Sequence, residues 1–186
     1  MIHPIYIFGS QVLRAKAAEA SLEDKEALRN LMDDLVETMH HADGCGLAAP
    51  QIGISTRVVV VDGRELADRF EYLKDFHREM INPVVVYESP EKCEYNEGCL
   101  SIPNVDADIT RPQTIRVRYI NYDFEEVEEE LTGFAARMVQ HELDHLDGVL
   151  FVDHASAIRK KMIAGKLNNI AKGKTNPAYR IKTDRK

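Results

Sequence analysis

The apolar positions fall into helical and strand periods by turns along the chain. Between Ser21 and Gly44, residues Leu28, Leu31, Met32, Leu35, Val36 and Met39 recur at helical spacing and predict an amphipathic helix. Ser21 followed by Asp24 gives a capping-box-like start, and Gly44 a stop. The run TRVVVVD (56–62) is short and β-branched and predicts a buried strand. Residues 64–79 are charged and aromatic, an expected excursion with some helix. MINPVVVYE (80–88) predicts a strand, with Pro83 favouring an edge or a start. TIRVRYIN and FEEVEEELT alternate apolar with polar and, with Asn121 and Asp123 between them, predict a hairpin. Helical spacing returns over 134–146, closed by Asp147 and Gly148. A last helix is predicted over 155–170 through Ile158, Met162, Ile163, Leu167 and Ile170. No internal repeat or domain boundary interrupts this order. It predicts a single α+β domain over 1–170, a mostly antiparallel sheet packed around the 134–146 helix, with a C-terminal helix. Residues 171–186 are expected as a basic, flexible tail.

Composition narrows the class. The chain has 186 residues, 44% hydrophobic and 30% charged, which is ordinary for a globular domain. No apolar run is long enough to span a membrane, and the start lacks a basic segment followed by an apolar one, so a cytoplasmic protein is expected. Three widely spaced cysteines, Cys45, Cys93 and Cys99, argue against a disulfide framework. In a reducing compartment such cysteines are free, catalytic or metal-bound. The net charge of −7 conceals an asymmetry: residues 155–186 hold ten Lys or Arg and one acid, whereas residues 1–154 hold 14 basic and 30 acidic groups. A basic end on an acidic body suits an anionic partner such as RNA, or is simply a solvated helix and terminus.

The candidate chemistry lies in QHELDHLDGVLF (140–151). On a helix, positions four apart share a face, so His141 and His145 can present both imidazoles to one ion. Glu142 projects to the side, as suits a base acting on water held by the ion. One usual completion of this motif, HExxHxxGxxH, fails because Phe151 occupies the last position. A later glutamate also fails, since none follows Glu142. His154 lies off the helix and is a poor third ligand. The third ligand is therefore sought upstream. Cys99, in the turn-rich YNEGCLSIP, is the best candidate, with Cys93 and Cys45 as competitors.

Three stretches in this order, GCGLAAPQ (44–51), EGCLS (97–101) and HELDH (141–145), resemble the three motifs of peptide deformylase. The resemblance extends to Leu13 and Arg14 and to the rest of QHELDHLDGVLF, covering roughly residues 4–155. The 64–79 segment and the basic tail match it poorly. The resemblance implies a hydrolase that removes the N-formyl group from the formyl-methionine of newly made polypeptides and releases formate. It implies Cys99, His141 and His145 as ligands of one ion, ferrous iron in the cell with zinc or nickel able to substitute, and water at the fourth position. Glu142 becomes the proton shuttle, with the Gln51 amide and the Leu100 backbone N–H as donors to the formyl oxygen. Cys45, Gly46 and Gly98 are expected along the substrate main chain, Phe134 and Met138 around the methionine side chain, and Glu97 and Arg137 bordering the site.

The implied partners are a formylated nascent peptide and, through the basic C-terminal segment, the ribosome surface. No membrane or specific DNA is implied. Two rival readings remain at the level of sequence: a general zinc peptidase, disfavoured by the missing downstream ligand, and a structural metal domain whose tail binds RNA, disfavoured by Glu142 and Gln51 beside the motifs.

Overall fold

Four consecutive valines, Val58–Val61, set the middle of the molecule. Successive strand side chains face opposite sides, and all four are fully buried, so this strand must be covered on both faces. The computed structural model describes residues 1–184. In chain order its elements are β1 (Ile5–Tyr6), α1 (Lys25–His41), β2 (Gly46–Ala48), β3 (Val58–Asp62), β4 (His77–Glu88), β5 (Lys92–Cys99), β6 (Ile102–Pro112), β7 (Thr114–Ile120), β8 (Glu126–Thr132), α2 (Gly133–Leu146), α3 (Phe151–His154), α4 (Ala157–Ala171) and β9 (Ile181–Lys182).

Strands β2, β3, β4, β7 and β8 form one sheet in that order, antiparallel at every pairing. Val58, Val60 and Ile81 pack against Leu28, Met32, Leu35 and Met39 of α1. Val59, Val61, Met80 and Val117 pack on the other face against Ala136, Val139, Leu143 and Leu146 of α2. Strands β5 and β6 form a separate hairpin, whose Val105, Ala107 and Ile109 share a core with Phe151, Val152, Ile163 and Ile170 of α3 and α4. Helix α2 therefore runs through the interior: from Ala135 to Leu146 only Asp144 is not buried. A helix covered all round is what the apolar and small residues of FAARMV provide for. Its end is fixed by Gly148, whose φ of +72° and whose closeness to the Arg14 carbonyl leave no room for a side chain. The Arg14 guanidinium closes the same corner by binding Asp153 at 2.5 Å.

The α+β expectation, its central helix and its C-terminal helix hold. Four details refine or correct it. Helix α1 is capped by Asp24, which accepts from the Ala27 N–H at 2.9 Å, while Ser21 lies outside the cap. Strand β4 is central up to Ile81, where its pairing with β3 ends; beyond it only β7 pairs, so Pro83 lies on a locally open edge as expected, in the gap of the β7 register shift between Ile81 and Val84. Residues 64–79 form two short 3-10 turns, Arg64–Leu66 and Glu71–Leu73, before β4 begins at His77. The loosely ordered tail expected from residue 171 instead returns to the body. Ile181 pairs in parallel with Ile5, and Tyr179 packs with the α1 core. Two partly buried side chains, Tyr179 and Ile181, and a strand pairing tie down a segment whose basic composition concealed them. Residues 185 and 186 of the expected tail lie outside the described residues.

Candidate metal centre

Helix α2 supplies two imidazoles one turn apart, His141 and His145, with ring centroids separated by 5.3 Å. Cys99 arrives from the end of β5, where a register shift between Gly98 and Cys99 breaks the hairpin ladder. Its Sγ lies 3.3 Å from His145 Nε2. One ligand atom from each of Cys99, His141 and His145 lies within 4.8 Å of the others, and no other such group occurs among the described residues. Cys93 and Cys45, the sequence competitors, stand outside it: Cys93 Sγ faces the Arg137 guanidinium at 3.5 Å. His154 is turned away to Asp144, at 2.8 Å.

The donor chemistry fits a divalent transition ion. Glu97 is buried, and its carboxylate accepts from both Arg111 and Arg137, at 2.7 Å each. Burial would raise its pKa, but hydrogen bonds from His141 and Arg111 hold it far below the usual carboxylate range. An ionised Glu97 only accepts, so His141 Nδ1, 2.9 Å away, must donate. That fixes the tautomer and leaves Nε2 with a lone pair for an ion, an arrangement common around metal-bound histidine. Burial, with His141 as a positive neighbour, lowers His145 to about 3 and keeps it neutral, the form that ligates. For His141 burial acts downward, but hydrogen bonds to Cys99 and Glu97 outweigh it and raise the pKa, so the ring favours a cation, and a bound ion would take the place of the Nε2 proton.

Glu142 lies beside this group, buried, with Oε2 free of any hydrogen-bond partner. Burial raises its carboxyl to about 7. It rests directly on Gly46, where an added Cβ would come within 2.2 Å of Glu142 Oε1. Gln51, on the 3-10 turn Ala49–Ile52, is held by its own backbone neighbour: Oε1 accepts from the Ala48 N–H at 2.8 Å. The amide nitrogen is thereby aimed at the centre, 3.1 Å from Ser101 Oγ and 3.5 Å from Cys99 Sγ. These groups border an open cavity of about 720 Å³, together with Cys45, Gly98, Leu100, Phe134 and Met138. Burial, with negative Glu142 adding to it, pushes the Cys45 thiol up to about 11, so it is a neutral wall. Phe134 stacks on Phe70 at 4.8 Å and meets Tyr95 edge-on at 5.4 Å, making one side aromatic.

Glu97 and Arg137 border the cavity, but their polar atoms face inward. Arg137 is 2% exposed and donates to Glu97, to the Ile109 carbonyl at 2.8 Å and to the Cys93 carbonyl at 2.7 Å. A guanidinium already bound to three acceptors supports β5 and β6 rather than reading a substrate. Three contributing residues escaped the sequence reading: Arg111, which ties Glu97 to Asp144 at 2.7 Å, Ser101, which receives the Gln51 amide, and Tyr179. Arg111 carried a signal, since it continues the buried alternation Val105, Ala107, Ile109 with a charge.

The sequence model of the family described as polypeptide deformylase matches residues 2–161. A peptide deformylase of Cytophaga hutchinsonii is 43% identical over 98% of this chain and 97% of its own length. One from Salinibacter ruber is 44% identical over 98% and 95%. Among solved structures, peptide deformylase from Thermotoga maritima superposes with a TM-score of 0.76 at 42% identity, covering 84% of this chain and 99% of its own. The enzyme of Ehrlichia chaffeensis, solved in complex with actinonin, gives 0.82 at 33% identity over 94% and 99%.

Proposed function

The chain belongs to the polypeptide deformylase family, hydrolases that remove the N-formyl group from nascent polypeptides, and from that premise we propose a role for each group around its Cys99–His141–His145 centre. The observation that carries the reading is the placement of Glu142, a buried carboxylate with a free oxygen, beside three donors that converge within 4.8 Å. Cys99, His141 and His145 hold one divalent ion. The family resemblance implies ferrous iron in the cell, with zinc or nickel as substitutes; by affinity alone a thiolate with two imidazoles favours zinc over iron. When bound, the ion supplies Lewis acidity to the formyl carbonyl and lowers the pKa of water to about 7 in favourable cases.

The chain's own residues do the rest. Glu142 takes a proton from water as the water oxygen bonds to the formyl carbon. The oxygen of the carbonyl becomes negative, and Gln51 Nε2 and the Leu100 N–H donate to it. One preorganised donor of this kind lowers a barrier by about 2.7–4 kcal/mol. As the carbon–nitrogen bond breaks, Glu142 returns its proton to the departing amine, leaving formate and a free N-terminus. The substrate main chain runs extended between the Cys45–Gly46 edge and Gly98, where an added Cβ would find only the Val105 carbonyl at 3.7 Å. The methionine side chain enters between Met138 and Phe134.

The test is formate release from formyl-Met-Ala-Ser by anaerobically purified protein, beside Glu142→Gln, with metal content measured on both. Formate from the wild type and not from the variant, at equal metal, is expected. No formate from a fully metallated wild type overturns the reading.

The finer partner is the ribosome surface. Exposed Lys160, Lys161 and Lys166 are spread around the solvent side of α4 and supply positive charge for RNA phosphate, which would hold the enzyme where formylated chains emerge. Salt-insensitive ribosome binding, or binding unchanged in a triple Lys→Glu variant, overturns this. A reducing cytoplasm suits the three unpaired cysteines.

A further inference from the structure

The turn between β5 and β6 carries both the Cys99 thiol and the Leu100 N–H, and its two carbonyls are held by a part of the chain remote in sequence. The Tyr179 hydroxyl donates to the Leu100 carbonyl at 2.7 Å. The Phe8 N–H donates to the next carbonyl, Ser101, at 2.8 Å. Both donors flank the parallel pair β1–β9, in register at Ile5–Ile181 and Tyr6–Lys182, with Ile5 N–H bound to the Arg180 carbonyl at 2.9 Å. On the opposite side the Leu100 side chain presses on Gly44, where an added Cβ would meet Leu100 Cδ1 at 2.7 Å. Pro177, Ala178 and Tyr179 also line the cavity. Tyr179 lies beyond residue 161, where the match to the family model stops.

We propose that Tyr179 is a positioning residue for the deformylation centre: its hydroxyl clamps the Leu100–Ser101 peptide, which is joined at the Leu100 Cα to the peptide carrying the Leu100 N–H and so restrains the aim of that N–H, while its ring and Pro177 form a wall of the peptide cleft that the C-terminal segment supplies. The proposal rests on the function given above. A register shift between Gly98 and Cys99 leaves Cys99–Ile102 as the one pair that closes this two-residue turn, so the bonds to its own carbonyls add to its placement. A donor displaced by about 1 Å from its productive position costs on the order of a hundredfold in rate. Removing one of two carbonyl anchors, with Phe8 kept, therefore costs less than losing the donor outright.

The experiment compares zinc-loaded wild type with Tyr179→Phe and Tyr179→Ala. Phe keeps the wall and loses the clamp, so kcat falls about tenfold with KM within twofold and zinc content unchanged. Ala loses both, so KM for formyl-Met-Ala-Ser rises as well. The clamp is read independently of activity by ¹⁵N relaxation of the Leu100 amide, whose order parameter falls from the rigid value of about 0.85 in Tyr179→Phe. A purely structural tyrosine would lower the melting temperature of both variants and leave kcat and the Leu100 order parameter as in wild type, which overturns the proposal. If the metallated wild type released no formate, the functional reading would fail and the relaxation measurement would still decide the clamp.

Discussion

Glu97 Oε2 and His141 Nδ1 lie 2.9 Å apart, and the same carboxylate is the acceptor for two buried guanidinium groups, Arg111 and Arg137. One acid therefore orients a metal ligand and neutralises the cations that knit β5 and β6 to α2. Glu97→Gln keeps the shape and removes the charge. Losing an outer partner of this kind weakens metal binding by about 10–100-fold. Stranding buried guanidinium charge destabilises by about 3–5 kcal/mol. Chelator competition for zinc and thermal melts with and without zinc measure the two effects separately. Zinc affinity equal to wild type would show that Glu97 does not orient His141.

Gly46 is the second place where one atom decides the site. A methyl at this position runs into Glu142 Oε1 at 2.2 Å and into its Cδ at 2.7 Å. Glu142 is packed on the protein side and borders the cavity, with Oε2 free of any partner, so it yields into the cavity and off the reacting water. Gly46→Ala is expected to lower kcat about a hundredfold, with zinc content and melting temperature close to wild type. Single-turnover formate release beside metal analysis checks this. Full activity would mean that the carboxylate has freedom that its surroundings deny.

The sequence carried the large elements and the ligands for different reasons. Helical and alternating periods located α1, β3, the β7–β8 hairpin, α2 and α4, because each buries a face that its own spacing builds. The β5–β6 hairpin was missed: β5 reads Lys-Cys-Glu-Tyr-Asn-Glu-Gly-Cys, with a charged Glu97 on the buried side that defeats apolar periodicity. The metal ligands were legible through motif spacing, whereas the Glu97–Arg111–Arg137 network depends on residues 14 and 40 positions apart that only the fold brings together. Tyr179 was invisible for a related reason, being 79 positions from the carbonyl it holds.

Phe134 tests the methionine pocket. Its ring is held between Phe70 and Tyr95, and it shares the cavity with Met138. Truncation to Ala removes apolar surface that a methionine side chain would cover, and it does not touch the reacting atoms. Phe134→Ala should raise KM for formyl-Met peptides about tenfold or more, with kcat within twofold. A short formyl-Gly peptide, which fills no such pocket, should lose little. Equal losses for both peptides would place the methionine elsewhere.

His77 gives the stability a pH dependence separate from the metal centre. Its Nε2 meets Glu79 at 2.9 Å and its Nδ1 meets Asp62 at 3.2 Å, with Arg64 and His40 on the same Asp62 carboxylate. The hydrogen bond to Glu79 raises the His77 pKa, burial opposes it, and the charges of Glu79 and Asp62 add to the rise. A raised pKa means that the folded state binds the proton more tightly than the unfolded chain. The stabilisation is therefore complete below the unfolded value of about 6.5 and is lost as pH climbs through the higher folded value. His77→Gln removes the titration but keeps a polar side chain. Wild type is expected to melt higher than the variant at about pH 6, with the gap narrowing as pH rises above the unfolded value of about 6.5. Metal-free and zinc-loaded samples should show the same narrowing, because none of these side chains lines the cavity at the metal centre. A gap independent of pH would show that His77 stabilises as a neutral side chain and that its charge contributes nothing.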